Sequence, residues 1–541
     1  MPDVKLLDCT LRDGGYVNDW NFGHDNLVCI YERLVSANVD FIELGFIDER
    51  RLFDWNRSIA PDTKSFGRIF HGLEKRNSML LGMIDFGTCG LEKIQPCRES
   101  IFDGIRVIFK KHVRKQAIDF CRKLQEAGYK VFVQLVSITS YDDEELSDLI
   151  HLANELHPYA VSMVDTYGLL QQENLIHYFT ELNQKLCPDI ALGYHSHNNF
   201  QRAFANCTEM LLQKTDRCLL VDATIYGMGK SAGNCPIELL AMYLNHNFQK
   251  NYDITQILEA LDANIMRFYK YKPWGYSMFY YMSALNNCHP GYVADLMEKR
   301  TLSVKQMNEL LGKLQNYGDK QLMYDKSLME KIYIEYQKQI RVDDAKDIQK
   351  LAGDFAGKKV LLLGPGKSIE QQREYILEFI NENNPFIVTV NYIPDLLPAH
   401  YIFLSNAKRY VQLATALLRK QNSIKVIATS NVTAMPDKNF DYSLDISSLL
   451  DEAAEIVDNS FLMLLKVMVK IGVHSVALAG FDGYIGEKEK DHMDKNMEYD
   501  FSKDQAERLN RYVGTVICDM GSKIEMNFIT NTRYLTSGSD F

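Results

Sequence analysis

Eight short apolar runs, at 4–11, 41–46, 79–86, 105–109, 131–136, 160–164, 190–194 and 219–225, recur through the first half of the chain. Most gaps between them carry helical periodicity, as at 115–127 and 143–156. Runs that are apolar throughout suit strands buried on both faces, and regular alternation with helices enforces right-handed crossovers and a parallel sheet. Eight such units within about 250 residues fit a closed (β/α)8 barrel. An open doubly wound sheet is the alternative. The polar residues favour the barrel, because they gather at one end of the strands. Arg12 and Asp13 follow the first, Glu43 lies in the second, Asp165 and Thr166 follow the sixth, and His195 and His197 follow the seventh. A barrel presents its chemistry at that rim.

The 541 residues exceed what one core organises. The barrel is expected over 1–265, followed by a helical appendix and linker over 266–354. Further apolar runs at 360–363, 387–390, 401–404, 424–428 and 475–479 alternate with helical stretches. They predict a second, Rossmann-like α/β domain over 355–541 with an open parallel sheet. Its first strand runs into Gly364-Pro365-Gly366-Lys367-Ser368, a glycine turn before a helix. Backbone N–H groups of such a turn can bind phosphate, which makes Gly364, Gly366 and Ser368 candidate cofactor-binding residues. The turn is not a Walker A loop, since Leu361 stands where the first glycine belongs, and the third glycine of the dinucleotide fingerprint is missing.

The hydrophobic fraction of 46% and charged fraction of 24% are those of an ordinary globular chain. A net charge of −11 offers no electrostatic footprint for nucleic acid or anionic membranes, so neither is an expected partner. The eleven cysteines contain no CxxC pair, which fits a reducing cytoplasm. The start of the chain lacks the basic and apolar regions of a signal peptide, and the apolar stretch 461–473 is broken by Lys466 and Lys470. A cytoplasmic, soluble protein is expected.

Two residues apart on a strand means the same face, so His195 and His197 can reach one ion. Asp13, ending a different strand at the same rim, completes a facial set of two imidazoles and a carboxylate for a divalent cation such as Mn²⁺, Mg²⁺, Fe²⁺ or Zn²⁺. Such a cation suits a 2-oxo acid, chelated through its carboxylate and ketone oxygens and stabilised as the enolate.

Asp8-Cys9-Thr10-Leu11-Arg12-Asp13-Gly14, His195-Ser196-His197-Asn198 and Gly227-Met228-Gly229-Lys230-Ser231-Ala232-Gly233-Asn234 resemble, in order and spacing, the HMGL-like pyruvate aldolases and metallolyases built on a TIM barrel. The 4-hydroxy-2-oxovalerate aldolases form the most similar branch; hydroxymethylglutaryl-CoA lyase and the isopropylmalate and homocitrate synthases are more distant. The likeness spans roughly residues 1 to 300. It implies that Asp13, His195 and His197 are metal ligands, with Asn234 as a further one, and that the ion is Mn²⁺ or Mg²⁺. It implies that Arg12 holds the enolate oxygen and that Thr166 places a hydroxyl against the substrate carboxylate. Tyr276, with Tyr280 one turn on, resembles an aromatic that these aldolases bring to the active site. The plainer readings are a rim ion pair for Arg12 and Asp13, a helix cap for Thr166 and aromatic packing for the tyrosines. Tyr16 stands where these aldolases carry a base histidine, and an unperturbed phenol, with a pKa near 10, is a poor base at pH 7.

The second domain faintly resembles Rossmann-like domains of bacterial sialyltransferases and pterin pyrophosphokinase-like proteins, which implies a nucleotide or phosphosugar ligand. The expected function is a divalent-metal-dependent carbon–carbon lyase that forms or cleaves a 4-hydroxy-2-oxo acid from a pyruvate-like enolate and an aldehyde. The alternatives are an acyl-CoA Claisen-type synthase, or a bifunctional or regulatory barrel fused to a nucleotide-sugar transferase domain. Barrel aldolases often dimerise, so a homo-oligomer is expected.

Overall fold

The computed structural model describes residues 2–322, 324–419, 423–436, 438–452, 454–486 and 501–535. The chain divides into two compact units, Met1–Pro290 and Gly291–Phe541. The helical stretch 266–354 is shared between them.

The first unit is an eight-stranded parallel barrel. Its strands are β1 (Val4–Asp8), β2 (Phe41–Ile47), β3 (Met79–Asp85), β4 (Gly104–Ile108), β5 (Lys130–Val136), β6 (Ala160–Asp165), β7 (Ala191–Ser196) and β8 (Leu219–Ala223). Each pairs with its sequence neighbour, and β1 pairs with both β2 and β8, which closes the ring. The closed barrel predicted from the run pattern is therefore present. Every residue of β2, β6 and β7 is buried, as continuous apolar runs require. The outer helices are amphipathic: Arg114–Glu126 buries Ala117, Ile118, Cys121 and Leu124 at helical spacing.

The first strand is shorter than its apolar run. The Asp8 carboxylate accepts from the Thr10 backbone N–H at 2.9 Å and from the Thr10 hydroxyl at 2.7 Å. This local turn competes with the ladder, and one helical turn, α1 (Thr10–Asp13), follows. The break sets Arg12 and Asp13 on that turn, just past the C-terminal end of β1.

The second unit carries seven parallel strands, β9 (Val360–Leu363), β10 (Phe386–Val390), β11 (Tyr401–Leu404), β12 (Lys425–Thr429), β13 (Tyr442–Leu444), β14 (Ser475–Ala479) and β15 (Glu525–Phe528). Their spatial order is β13-β12-β11-β10-β9-β14-β15, a doubly wound sheet. The edge strands β13 and β15 escaped the sequence reading because they are three and four residues long and β15 is half-exposed along its length. Among the described residues no helix is long and apolar enough to cross a membrane.

Candidate metal centre and its cleft

Asp13, His195 and His197 converge: one ligand atom from each lies within 4.8 Å of the others. The two imidazole rings are 5.1 Å apart and nearly perpendicular. An antiparallel bridge between His197 and Asn234, with the Asn198 N–H bonded to the Gly233 carbonyl at 2.8 Å, pins the glycine loop 227–234 beside the end of β7. Asn234 is thereby delivered to the same place, its amide nitrogen 3.2 Å from His195 Nε2. Among the described residues, the buried His197 Nδ1 and Asn234 Oδ1 have no hydrogen-bond partner. Buried polar groups are ordinarily satisfied, and a hard or borderline divalent cation accepts this N/O donor set. The four residues therefore fit the expected metal.

Burial alone would raise the Asp13 carboxyl, but Arg12, His197 and His195 outweigh it and hold it well below the usual carboxylate range. His197 is pushed down to about 3, chiefly by burial. Both are thus in the deprotonated form that ligation needs. Gly229 admits the arrangement, because a Cβ there would meet Asn234 Oδ1 and Asp13 Oδ2.

Beneath the ligands runs a buried chain of charges that sequence reading left without roles. Arg12 Nε donates to Glu43 Oε2 at 2.8 Å, and the same oxygen accepts from Arg106 Nη1 at 3.1 Å. Arg106 Nη2 donates to Gln134 at 2.8 Å and to Asp222. Asp222 in turn accepts from His195 Nδ1 at 2.9 Å, which fixes the tautomer and turns Nε2 toward the ligand set. Cys9, His195 and Asp222 form a second close cluster. Asp222 is occupied by Arg106, and burial raises the Cys9 thiol, which donates to the Ala223 carbonyl. This cluster orients His195 rather than offering a separate set of ligands.

Arg12 is an ion-pair partner of Asp13 at 2.5 Å, as the plainer reading held. Its Nη2 corner nonetheless has no partner among the described residues, so the fork keeps donors for a further oxygen.

The remaining candidates are placed unevenly. Thr166 caps no helix: its hydroxyl oxygen accepts from the Ser137 backbone N–H at 2.8 Å. Tyr16 packs edge-on against Trp20 at 4.8 Å and Phe46 at 6.2 Å. Burial, reinforced by Asp13, raises its phenol well above 10, so Tyr16 is protonated at neutral pH and is no base there. Tyr280, together with Tyr16, Lys230 and Trp274, lines the cleft over the rim. Tyr276 does not line it; it is 54% exposed and meets Tyr281 edge-on.

In the second unit the glycine turn is not open for phosphate. The Gly364 N–H is bonded to the Ala479 carbonyl and the Gly366 N–H to the Gly480 carbonyl, both at 2.8 Å. The Ser368 N–H donates to Asp482 at 2.8 Å and the Ser368 hydroxyl donates to the same carboxylate. The expected cradle of Gly364, Gly366 and Ser368 is thus filled by a carboxylate from the loop after β14. Beside it, past the C-terminal ends of β9, β10 and β14, lies a crevice lined by Asn391, Arg409, Asp458, Phe461, Phe481 and Tyr534. Open α/β sheets bind ligands at such a switch point.

An oxaloacetate decarboxylase from Mycobacterium tuberculosis is 25% identical over 274 residues, covering 50% of this chain and 80% of that protein. A 4-hydroxy-2-oxovalerate aldolase from Salinispora arenicola is 27% identical over 275 residues, covering 50% and 77%. Another from Pelotomaculum thermopropionicum is 25% identical over 266 residues, covering 48% and 76%. The HMGL-like family model matches residues 3–263, which take in all eight barrel strands of this chain.

Proposed function

We propose that the barrel forms and cleaves a 4-hydroxy-2-oxo acid, joining or releasing pyruvate and an aldehyde, with Mn²⁺ or Mg²⁺ held by Asp13, His195, His197 and Asn234. The carrying observation is the juxtaposition of this ligand set with the free corner of Arg12. With the imidazoles neutral, Asp13, Glu43, Asp222, Arg12 and Arg106 sum to one negative charge in a buried site. A divalent cation and a monoanionic 2-oxo acid bring that sum to zero, which a low-dielectric interior favours.

When bound, the cation supplies Lewis acidity to the carboxylate and ketone oxygens of the 2-oxo acid. Arg12 donates from Nη2 to the ketone oxygen as it becomes the enolate oxygen, a charge that is largest in the transition state. The Thr166 hydroxyl, its oxygen already held by Ser137, keeps its own proton to donate to the substrate carboxylate. Tyr16 donates to the oxygen on C4. In cleavage the 4-hydroxyl gives its proton to water in the cleft, the C3–C4 bond breaks to leave an aldehyde, and the electron pair of that bond becomes the enolate. The enolate takes a proton from solvent at C3 and leaves as pyruvate.

For the second unit we propose a nucleotide or phosphosugar ligand in the crevice beside the turn, where the stacked rings of Phe461 and Phe481, 4.0 Å apart, give an apolar wall.

The test is to incubate the full chain with pyruvate, Mn²⁺ and a panel of aldehydes, and in parallel with pyruvate and acetyl-CoA. Carbon–carbon bond formation with an aldehyde supports the proposal. Free thiol release from acetyl-CoA without any aldol product would replace it with a Claisen-type synthase.

A further inference from the structure

We propose that the aldehyde accepted by this barrel carries an anionic group, a phosphate or a carboxylate, and that Lys230 binds it. The inference rests on the aldol reading above and names its substrate class. The cleft over the rim is lined by Tyr16, Gly229, Lys230, Lys272, Trp274 and Tyr280, two of them cations and none an anion.

The backbone of Lys230 is locked against the metal centre: its N–H donates to Asp13 Oδ2 at 3.3 Å and its carbonyl accepts from Gly233 at 2.9 Å. Its ammonium, by contrast, has neither an ion pair nor a hydrogen bond among the described residues. It rests 5.5 Å from the centre of the Tyr16 ring. Of the carboxylates that act on it, Asp13 is paired with Arg12, and Asp85 makes no ion pair with it among the described residues. One cation–π contact does not offset the desolvation of a half-buried ammonium.

A side chain so held, one loop away from the ligand set, stands where the acceptor must approach an enolate bound at Asp13, His195 and Arg12. A neutral aldehyde would leave the ammonium unpaired, whereas an anionic tail satisfies it, with Lys272 as a second, more exposed cation. Against a net charge of −11, such local cations are what an anionic acceptor needs.

The experiment compares matched acceptors with pyruvate and Mn²⁺: glyceraldehyde against glyceraldehyde 3-phosphate, and butanal against succinic semialdehyde. The wild-type chain should favour the charged member of at least one pair in kcat/KM by about 10- to 100-fold, the worth of one charge-assisted hydrogen bond. The pair that shows the preference tells phosphate from carboxylate. Lys230→Met should bring that ratio near one, and Lys230→Arg should retain most of it. Inorganic phosphate or succinate, as the matching anion, should bind the wild type more tightly than Lys230→Met by calorimetry. Ratios near one for both pairs in the wild type, or a ratio unchanged in Lys230→Met, would overturn the proposal. Solvent deuterium exchange into the pyruvate methyl keeps the two readings apart. Exchange with no charge preference ends this proposal and leaves the aldol reading standing, while absence of exchange with metal present ends both.

Discussion

A single carboxylate oxygen of Asp222 accepts from His195 Nδ1 at 2.9 Å and is also paired with Arg106. The imidazole that faces the ligand set is therefore tied to the same buried chain of charges that holds Arg12. Outer-sphere partners of this kind typically tune metal affinity by about 10- to 100-fold. Asp222→Asn should weaken Mn²⁺ binding by a factor in that range, measured by calorimetry on metal-stripped protein. Unchanged affinity would show that His195 does not depend on Asp222.

Gly229→Ala probes crowding at the centre without removing a ligand. The added Cβ meets Asn234 Oδ1 and Asp13 Oδ2, so the variant should bind Mn²⁺ more weakly while its urea midpoint stays near that of the wild type. Wild-type affinity would mean that Asn234 and Asp13 do not act as ligands in this geometry.

Arg106 is 1% exposed and faces both Glu43 and Asp222. Arg106→Met leaves two buried carboxylates without their shared cation, and breaking a buried pair costs about 3–5 kcal/mol. Urea unfolding should record a loss of that order for the barrel transition. A change below about 1 kcal/mol, the scale of an exposed pair, would contradict the burial argument.

Asp8 gives a pH signature. Burial pushes its carboxyl up to about 7, against an ordinary value of 3.8. Between those values the folded chain binds more protons at this site than the unfolded chain. The contribution of Asp8 to stability is thus greatest in acid and declines as pH rises from about 4 to 7. Asp8→Asn removes the titration, so the difference in Tm between variant and wild type should shift in the variant's favour as pH rises through that window. A difference constant with pH would show that Asp8 titrates normally.

Tyr16, protonated at neutral pH, is a donor in this account. Tyr16→Phe should lower kcat for aldol cleavage by about 100-fold or more, the range of a positioned proton donor, with a smaller effect on the KM for the hydroxy acid. An unchanged kcat would remove Tyr16 from the chemistry.

The barrel was legible because each strand is one apolar run, and the candidate ligand cluster because period-two spacing puts His195 and His197 on one face. Asp13 was legible from its place after β1, although the turn that ends β1 early rests on the Asp8 side chain rather than on hydropathy. The charge network was not legible. Glu43 and Arg106 are 63 residues apart, and Arg106 and Asp222 are 116 apart. Only closure of the barrel brings them together, and their one trace in the sequence is a lone charge inside an apolar strand. The glycine turn misled for the same reason: Asp482, which fills it, lies 114 residues beyond Ser368. Local pattern identifies a turn that can bind an anion, and the fold decides whether the protein supplies that anion itself.

The central claim is that a divalent cation held by Asp13, His195 and His197 lets this barrel form the enolate of pyruvate. Its most direct test is proton NMR of the pyruvate methyl in deuterium oxide, with metal-stripped chain before and after diamagnetic Mg²⁺ is restored. The methyl signal should be lost only with Mg²⁺ present, and not in His195→Ala. Equal exchange by the stripped chain, at a rate well above that of buffer alone, would contradict it.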